Sequence, residues 1–372
     1  MNQQGTDIRI IISGGGTGGH VFPAIAIADA LKERLGQVEL LFVGADNRLE
    51  MEKIPEAGYR IIGLPIRGFV RKLSARNIFV VIRLFRSLRL ARKIIREFEP
   101  HAVVGVGGYA SGPVLRVAAR SGIPCLIQEQ NSYAGITNKL LGRQVNKVCV
   151  AYGEMDRYFP ADKIIMTGNP VRKEIQDSDL GTKKTEAFSF FNLEKGRKVM
   201  LVLGGSLGAR SINNSIMAKL DMLIQTDTQL LWQCGKAYYE KLNKFMESAG
   251  NTNIRLLDFI SRMDLAYSAA DLIISRAGAL TVSELCHAGK PVILVPSPNV
   301  AEDHQTRNAM ALVKKEAAVF IADHEAEDKL INEAMNLLDD QEERARLSGS
   351  ISRLAMQDSA LRIADEIISM LG

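Results

Sequence analysis

Cysteine is scarce in this chain of 372 residues, and its four copies lie far apart in sequence. They are Cys125, Cys149, Cys234 and Cys286. No two are spaced closely enough for a disulfide framework or a zinc site, so reduced core residues in the cytosol are predicted. Long apolar runs are also lacking. Because no stretch approaches about 18 uninterrupted apolar residues and no basic-then-apolar leader opens the chain, we expect neither a membrane span nor a signal peptide.

Acidic side chains are missing from one segment, residues 67–96, which holds ten Lys or Arg residues. Subtracting those ten charges from the net charge of +5 leaves about −5 on the rest of the chain. The basicity is therefore a local feature and not a property of the whole protein. The composition is otherwise that of an ordinary globular protein, and the length predicts two domains.

A glycine-rich stretch at residues 13–20 lies between an apolar, β-branched run at 8–12 and an alanine-rich segment of helical period at 23–31. This order predicts a strand, a tight loop and a helix. Such a loop is a phosphate cradle, because glycines allow close backbone approach and the helix N-terminus favours negative charge. No Lys-Ser or Lys-Thr pair follows the glycines, which excludes a nucleotide-hydrolysing P-loop.

The same loop satisfies the dinucleotide fingerprint G-x-G-x-x-G through Gly14, Gly16 and Gly19. A nicotinamide or flavin enzyme also needs an acid at the end of the second strand to hold the ribose. That strand ends at Gly44 here, and Asp46 lies two positions beyond it, which weakens this interpretation. A dinucleotide enzyme and a purely structural glycine turn remain the alternatives on this pattern.

Strand and helix patterns alternate through both halves of the chain. Strands are predicted at residues 8–12, 38–43, 102–106, 125–128, 198–203, 230–233, 254–257, 272–275 and 291–295. The sequence therefore predicts an α/β protein with two Rossmann-like, doubly wound parallel-sheet domains facing across a cleft. A polar interruption after residue 167 divides the predicted domains into 1–168 and 169–354, and the last segment, 355–372, is expected to form a helix that packs back on the first domain.

Six motifs occur in the order found in one known family. They are residues 15–23, 107–113, 129–131, 168–172, 204–209 and 278–284. On these motifs, nearly the whole chain resembles the bacterial N-acetylglucosaminyltransferases of glycosyltransferase family 28. The resemblance implies a GT-B fold and an inverting glycosyltransferase that acts in peptidoglycan synthesis, and so in cell shape, cell division and the cell cycle. Its reaction moves N-acetylglucosamine from UDP-N-acetylglucosamine to the 4-hydroxyl of the muramic acid sugar of lipid I (undecaprenyl-pyrophosphoryl-MurNAc-pentapeptide), giving lipid II.

The resemblance also implies a donor site in the C-terminal domain. Glu284 would bind the ribose hydroxyls, since a carboxylate can accept two hydrogen bonds from a diol, Arg172 would face the diphosphate and the backbone of Ile260 would read the uracil. The implied donor contacts are Thr17, Gly18, Gly19, Asn131, Arg172, Ser206, Ile260, Ala279, Leu280, Thr281, Val282, Ser283, Glu284 and Gln305. Plain structural roles, such as an N-cap serine or a solvated helix glutamate, remain the alternatives.

The acceptor's pyrophosphate would lie between the glycine loops at 14–19 and 107–112. Its implied contacts are Gly16, Gly18, Gly108, Tyr109 and Ser111. His20 is the leading candidate for the general base that deprotonates the attacking hydroxyl, because an unperturbed imidazole titrates near pH 6.5, that is, at about neutral pH. Glu129 is the competing base, since it follows a buried strand where desolvation raises the pKa of a carboxyl. A histidine that only closes the glycine loop is the third option.

No Asp-x-Asp motif is present at the predicted donor site, so no metal and no other cofactor is expected to take part in the reaction. A UDP-N-acetylglucosamine 2-epimerase of the same fold is the main alternative, and it would need catalytic acids in the cleft. A non-catalytic scaffold that binds a nucleotide sugar is another, and it would not need His20.

A helix is predicted at residues 78–98, with Leu84, Leu88, Ala91, Ile95 and Phe98 on its core face. The other face carries what we name the arginine-rimmed patch: Ile78, Phe79, Ile82, Arg83, Phe85, Arg86 and Arg89. Apolar residues ringed by arginines suit anionic lipid headgroups, which predicts a peripheral protein on the cytoplasmic face of the inner membrane. A helix covered by the other domain or by a partner chain is the alternative. No nucleic-acid motif accompanies the patch, and contacts with other cell-wall synthesis proteins are left open.

Overall fold

The computed structural model describes residues 8–67, 76–176, 180–205, 207–249 and 253–371, and for residues 76–79, 248, 249 and 301 it describes the backbone alone. The chain divides into two compact units. Unit 1 comprises the described residues up to Val171 together with those from Met356 onward, and unit 2 comprises the described residues of Arg172–Ala355.

Unit 1 is built on a seven-stranded parallel sheet with the strand order β3-β2-β1-β4-β5-β6-β7. The strands are β1 (Ile8–Ser13), β2 (Val38–Ala45), β3 (Arg60–Leu64), β4 (Ala102–Gly105), β5 (Cys125–Glu129), β6 (Lys147–Val150) and β7 (Ile164–Met166). The helices between them are α1 (Gly18–Leu35), α2 (Glu50–Glu56), α3 (Arg76–Phe98), α4 (Ser111–Arg120) and α5 (Ile136–Leu141). The order reverses between β1 and β4, which brings the loops after these two strands side by side at one edge of the sheet.

Helix α1 follows directly from the first glycine loop. Its N-cap, Thr17, has an extended backbone (φ −144°, ψ 159°), and the helix ends where Gly36 takes a left-handed φ of +67° and donates its N–H to Lys32 O at 2.9 Å. The strand before the loop is fully buried at Ile10, Ile11 and Ile12. The local sequence therefore places a buried strand before the loop and, after it, a helix that ends at a glycine C-cap.

Unit 2 contains a six-stranded parallel sheet of order β10-β9-β8-β11-β12-β13. Its strands are β8 (Val199–Leu203), β9 (Gln229–Gln233), β10 (Ile254–Leu257), β11 (Leu272–Ser275), β12 (Val292–Leu294) and β13 (Val319–Phe320). Its helices are α6 (Lys173–Gln176), α7 (Lys184–Phe190), α8 (Arg210–Ala218), α9 (Leu220–Gln225), α10 (Lys236–Ala249), α11 (Met263–Ala269), α12 (Ala279–Ala288), α13 (His304–Val313), α14 (Ala326–Asp339) and α15 (Gln341–Ser352). Here the order reverses between β8 and β11.

The final helix, α16 (Ser359–Ile368), belongs to unit 1 and packs on α1. Arg34 donates from Nε and Nη2 to the two carboxylate oxygens of Asp365, at 2.8 and 3.1 Å. Ile363 and Ile367 are fully buried in the core beneath β1. The end of the chain thus closes the apolar face of the first unit.

All nine predicted strands are present to within two residues at either end. Four further strands, β3, β6, β7 and β13, were not predicted. They have two to five residues each, and β3, β7 and β13 are largely half-buried, so their apolar pattern is weak.

Candidate active site

The two glycine loops of unit 1 contact each other at the point where the strand order reverses. The N–H of Gly15 donates to Gly107 O at 3.3 Å, and a Cβ on Gly108 would lie only 2.4 Å from Gly15 O. Gly107 and Gly108 have φ values of +94° and +83°, which glycine adopts without steric cost. The N-termini of α1 and α4 consequently open at the same edge of the sheet.

The predicted acceptor residues line these loops. Gly16 and Tyr109 are exposed, Gly18 and Gly108 are half-buried, and Ser111 is buried with its Oγ donating to Gly108 O at 3.0 Å. Ser111 therefore stabilises the second loop from within, whereas the other four are at least partly exposed on the two loops. The first backbone N–H groups of two helices can face one anion here.

His20 lies in the first turn of α1, half-buried between the two loops. Its Nδ1 is 3.2 Å from Oγ1 of Thr17, the N-cap residue. The opposite edge of the ring lies against Gly107, where a Cβ would be 2.8 Å from Cδ2 and 2.9 Å from Nε2. If Nδ1 carries the proton and donates it to Thr17, Nε2 is the nitrogen with the lone pair that a general base needs.

Glu129, the other candidate base, lies at the end of β5 and is 1% exposed. Its Oε1 accepts from the N–H and, more weakly, the side-chain amide of Asn131 at 3.1 and 3.4 Å, and its Oε2 accepts from Gly135 N–H at 3.0 Å and Asn138 Nδ2 at 2.8 Å. Burial raises the pKa of this carboxyl, although the four hydrogen bonds oppose that rise. Because donors already occupy both oxygens, the arrangement fits a residue that holds the loop after β5, and Asn131 is part of the same network.

Unit 2 contains a cavity of about 760 Å³ at the carboxyl ends of its central strands. Its lining includes Gly204, Gly205, Gly208, Gly278, Thr281 and Gln305. The first three belong to the loop before α8, and Gly278 is the N-cap of α12. The cavity therefore lies between two glycine loops that each lead into a helix, which suits an anionic ligand.

The predicted donor residues differ in where they lie: Thr281 and Gln305 line this cavity, whereas the other described ones are not among its lining residues. Gln305 is half-buried and its Oε1 accepts from Ser297 N–H at 2.8 Å. The Ile260 side chain is buried, so any contact with a ligand there would have to come from its backbone. The remaining residues of the first α12 turns are half-buried or buried: Ala279, Leu280, Thr281, Val282 and Ser283. Ser206 lies outside the described residues. Of the predicted set, Thr17, Gly18, Gly19 and Asn131 belong to unit 1.

Glu284, on α12, is almost buried and accepts three hydrogen bonds. Arg172 donates from Nε to Oε1 at 2.8 Å and from Nη2 to Oε2 at 3.0 Å, and the buried Tyr267 hydroxyl donates to Oε2 at 3.1 Å. Burial, followed by the charge of Glu284, raises the pKa of Tyr267 well above its usual value, so this hydroxyl stays protonated and remains a donor. Arg172 and Glu284, two of the predicted donor residues, thus form an ion pair. Glu284 is therefore not the solvated helix glutamate of the alternative interpretation.

Sequence reasoning missed a second polar cluster at the cavity. Arg276, after β11, donates from Nη1 to Asp323 Oδ1 at 2.5 Å and to Val295 O at 2.8 Å, and from Nη2 to Ser211 Oγ at 3.1 Å. Ser211 in turn donates to Asp323 at 2.5 Å. All three line the cavity, and a guanidinium beside two glycine loops favours a diphosphate. The position of Arg276 two residues before Gly278 in the sequence was the signal that could have identified it.

The arginine-rimmed patch lies on α3. Ile82 and Phe85 are 45% and 62% exposed, and the neighbouring Val81 is 41% exposed. Arg86 and Arg89 are exposed and Arg83 is half-buried; the side chains of Ile78 and Phe79 lie outside the described residues. The predicted core face is confirmed, since it packs into unit 1 through Leu84, Leu88, Ala91, Ile95 and Phe98. Among the described helices, none is long and apolar enough to cross a membrane.

Comparison with known proteins assigns both units to the same family. Residues 10–150 match the glycosyltransferase family 28 N-terminal domain, and residues 199–363 match the glycosyltransferase family 28 C-terminal domain. The chain is 57% identical over 363 residues to a UDP-N-acetylglucosamine--N-acetylmuramyl-(pentapeptide) pyrophosphoryl-undecaprenol N-acetylglucosamine transferase of Parabacteroides distasonis, with 98% of each chain covered. It is 53% identical to the protein of that name from Bacteroides fragilis, with 99% of this chain and 97% of that one covered.

Solved structures agree. MurG of Acinetobacter baumannii has a TM-score of 0.78 and 28% identity, covering 97% of this chain and 99% of that chain. A putative UDP-N-acetylglucosamine 2-epimerase from Listeria monocytogenes has a TM-score of 0.70 at 14% identity, covering 98% of this chain and 96% of that chain, which is a likeness of fold alone.

Two Rossmann-like parallel-sheet units with glycine loops at both order reversals, together with the likeness to MurG, define the GT-B fold class and confirm the predicted fold. The two family models define the chain as a glycosyltransferase of this class. The chain belongs to glycosyltransferase family 28.

Proposed function

We propose that this enzyme transfers N-acetylglucosamine from UDP-N-acetylglucosamine to the muramic acid 4-hydroxyl of lipid I, giving lipid II. The observation that carries this function is the 53–57% identity, over 98–99% of the chain, to transferases named for that donor and acceptor. The geometry supports it, since each unit has its own anion-binding loops, as a reaction between a nucleoside diphosphate sugar and a lipid diphosphate requires.

The donor is proposed to bind in the cavity of unit 2. Its diphosphate would face the N-termini of α8 and α12 and the guanidinium of Arg276, which stabilise the negative charge of departing UDP. Glu284 would accept the ribose hydroxyls, with Arg172 beside it turning to the diphosphate. No metal is part of this proposal, because backbone N–H groups and guanidinium groups supply the positive charge.

The acceptor is proposed to bind at unit 1, with its pyrophosphate against the loops at 14–19 and 107–112. Nε2 of His20 takes the proton of the 4-hydroxyl as that oxygen bonds to the anomeric carbon. The bond from that carbon to the phosphate oxygen breaks, UDP leaves with the electron pair, and the configuration inverts. Glu129 holds the loop after β5, a role supported by its four hydrogen bonds.

Peripheral binding to the cytoplasmic face of the membrane is proposed through the arginine-rimmed patch. It is supported by the exposed apolar side chains of Ile82 and Phe85 beside Arg86 and Arg89. Arginines attract anionic headgroups and apolar side chains enter the acyl boundary, a combination that suits a lipid-linked substrate.

One assay tests the function against its alternatives. The full chain is incubated in chelator-treated buffer with UDP-N-acetylglucosamine, with and without a soluble lipid I analogue, while UDP release and donor isomerisation are followed. The proposal predicts UDP release only when the acceptor is present. Donor isomerisation without acceptor would favour an epimerase, and binding without either reaction would favour a scaffold. Loss of turnover in metal-free protein, with recovery on adding a divalent cation, would contradict the metal-independent step.

A further inference from the structure

A buried carboxylate lies directly beneath the first glycine loop of unit 1. Glu50, the first residue of α2, is 1% exposed. Its Oε2 accepts the N–H of Gly16 at 2.7 Å, and its Oε1 accepts the N–H of Ala45, the last residue of β2, at 3.0 Å. A glutamate side chain therefore ties the loop to the end of the neighbouring strand.

The loop is folded around this carboxylate. Gly15 and Gly16 have φ values of +144° and +95°. A Cβ on Gly15 would lie 2.2 Å from both Cδ and Oε1 of Glu50, and a Cβ on Gly44 would lie 2.5 Å from its Cγ. The space that Glu50 fills exists only because both positions are glycine, so the carboxylate and the loop conformation depend on each other.

A chain of direct contacts leads from Glu50 to the proposed base. Gly15, against the carboxylate, donates its N–H to Gly107 O, and Gly108 packs on Gly15 O. Gly107 in turn lies against the Nε2 edge of His20. A shift of the first loop would therefore move the second loop and the space beside the imidazole.

We propose that Glu50 is a positioning residue of the acceptor-phosphate site. By accepting the Gly16 N–H on the inner side of the loop, it orients the N-terminus of α1, whose first N–H groups lack acceptors within the helix, toward a diphosphate on the outer side. It contacts no substrate and acts through the loop. The assignment rests on the proposed function, because it takes the acceptor's diphosphate as the ligand of this site.

The test compares Glu50→Gln and Glu50→Asp with Glu52→Gln, a matched change on the same helix where the side chain is 66% exposed. A glutamine amide places an NH₂ group against one of the two N–H donors, and an aspartate is one methylene too short to reach both. Each Glu50 variant is expected to raise the KM for a soluble lipid I analogue roughly ten-fold or more, because a buried N–H is left unsatisfied. The affinity for UDP, which is proposed to bind in the cavity of unit 2, should stay at the wild-type value.

Amide hydrogen exchange provides a readout that needs no substrate, so it tests Glu50 independently of the proposed reaction. Faster exchange in Glu50→Gln, confined to the loops at 13–20 and 107–112, is expected. Acceptor KM and loop exchange equal to those of Glu52→Gln would overturn the assignment. Faster exchange across the whole sheet of unit 1, with a matching loss of turnover for both substrates, would also overturn it, since Glu50 would then only stabilise the fold. Wild-type chain that fails to use lipid I would contradict the proposed function instead.

Discussion

The guanidinium of Arg172 lies fork to fork against the carboxylate of Glu284, with Nε 2.8 Å from Oε1 and Nη2 3.0 Å from Oε2. With the Tyr267 hydroxyl as a third donor, most of the roughly four acceptor positions of the carboxylate are occupied. A ribose diol needs two of them, so donor binding is expected to draw at least one arm of Arg172 away, toward the diphosphate.

This pairing predicts a defect that is specific for the donor. Arg172→Lys keeps the charge but loses the fork, and Glu284→Ala removes the diol acceptor; each is expected to raise the KM for UDP-N-acetylglucosamine about ten-fold or more. The KM for the lipid I analogue should not change. Titration calorimetry with UDP provides the check, with Lys329→Ala as a surface control. An unchanged UDP affinity in Glu284→Ala would contradict the assigned role.

His20 is predicted to act in the chemical step and not in binding. His20→Ala should lower kcat by about 10² to 10⁴ while UDP affinity stays the same. The limb of the pH profile that reports the base should disappear in this variant and persist in Glu129→Gln. Single-turnover rates across pH measure both effects. A near-normal rate for His20→Ala, together with loss of the pH dependence in Glu129→Gln, would contradict this assignment and identify Glu129 as the general base.

The arginine-rimmed patch predicts salt-sensitive binding to anionic vesicles. Replacing Ile82 and Phe85 by serine should weaken binding roughly ten-fold or more, because two apolar side chains no longer leave water. Raising the salt concentration should weaken binding of the wild-type chain, since the arginine charges are screened. Vesicle sedimentation measures both, and Phe245→Ser, an exposed phenylalanine of unit 2, is the control. Unchanged vesicle binding by the Ile82→Ser, Phe85→Ser double variant would show that the arginine-rimmed patch is not the membrane-binding surface.

The hydrogen bonds of Asp264 are expected to make the stability of unit 2 depend on pH. It accepts from both arms of Arg262 and from Lys183, each at 2.9 Å, and these hydrogen bonds hold the pKa of its carboxyl well below the usual 3.8. A lowered folded-state pKa stabilises the fold above the unfolded pKa, and this stabilisation is lost as the pH falls through the folded value.

Asp264→Asn is therefore expected to lower the free energy of unfolding by roughly 1–2 kcal/mol at pH 7. The difference from wild type should shrink as the pH falls below about 4, near the unfolded pKa. Urea denaturation at several pH values measures it, with the exposed Asp227→Asn as the control. A difference that stays constant from pH 7 to pH 3 would rule out the ionised hydrogen bonds as its cause.

Much of the fold follows from local sequence. A β-branched run, a glycine loop and an amphipathic helix are contiguous, so β1, β4, β8 and β11 and the loops after them could be predicted directly. The core face of α3 followed from helical periodicity alone. By contrast, β7 and β13 have too few buried positions to show a pattern.

Side-chain contacts between residues that are far apart in the sequence could not be predicted from local patterns. Nothing in the sequence distinguishes Glu50 from Glu52, because the contact that gives Glu50 its proposed role is with a backbone N–H 34 positions away, that of Gly16. Arg172 and Glu284 are 112 positions apart, and their ion pair could be identified only from the structure, where the packing of α12 brings the two side chains together. Composition and period determine which face of an element is buried, but the ion pairs at a site depend on which elements meet.

Transfer of the sugar itself tests the central proposal most directly. Radiolabelled N-acetylglucosamine on UDP is supplied to the wild-type chain with lipid I in anionic vesicles, and the extracted lipid is analysed for label and for anomeric configuration. We predict label in the lipid fraction as a β-linked disaccharide, with one UDP released for each sugar transferred. Label that remains with the nucleotide, or that appears in lipid with retained α configuration, would contradict the proposed reaction.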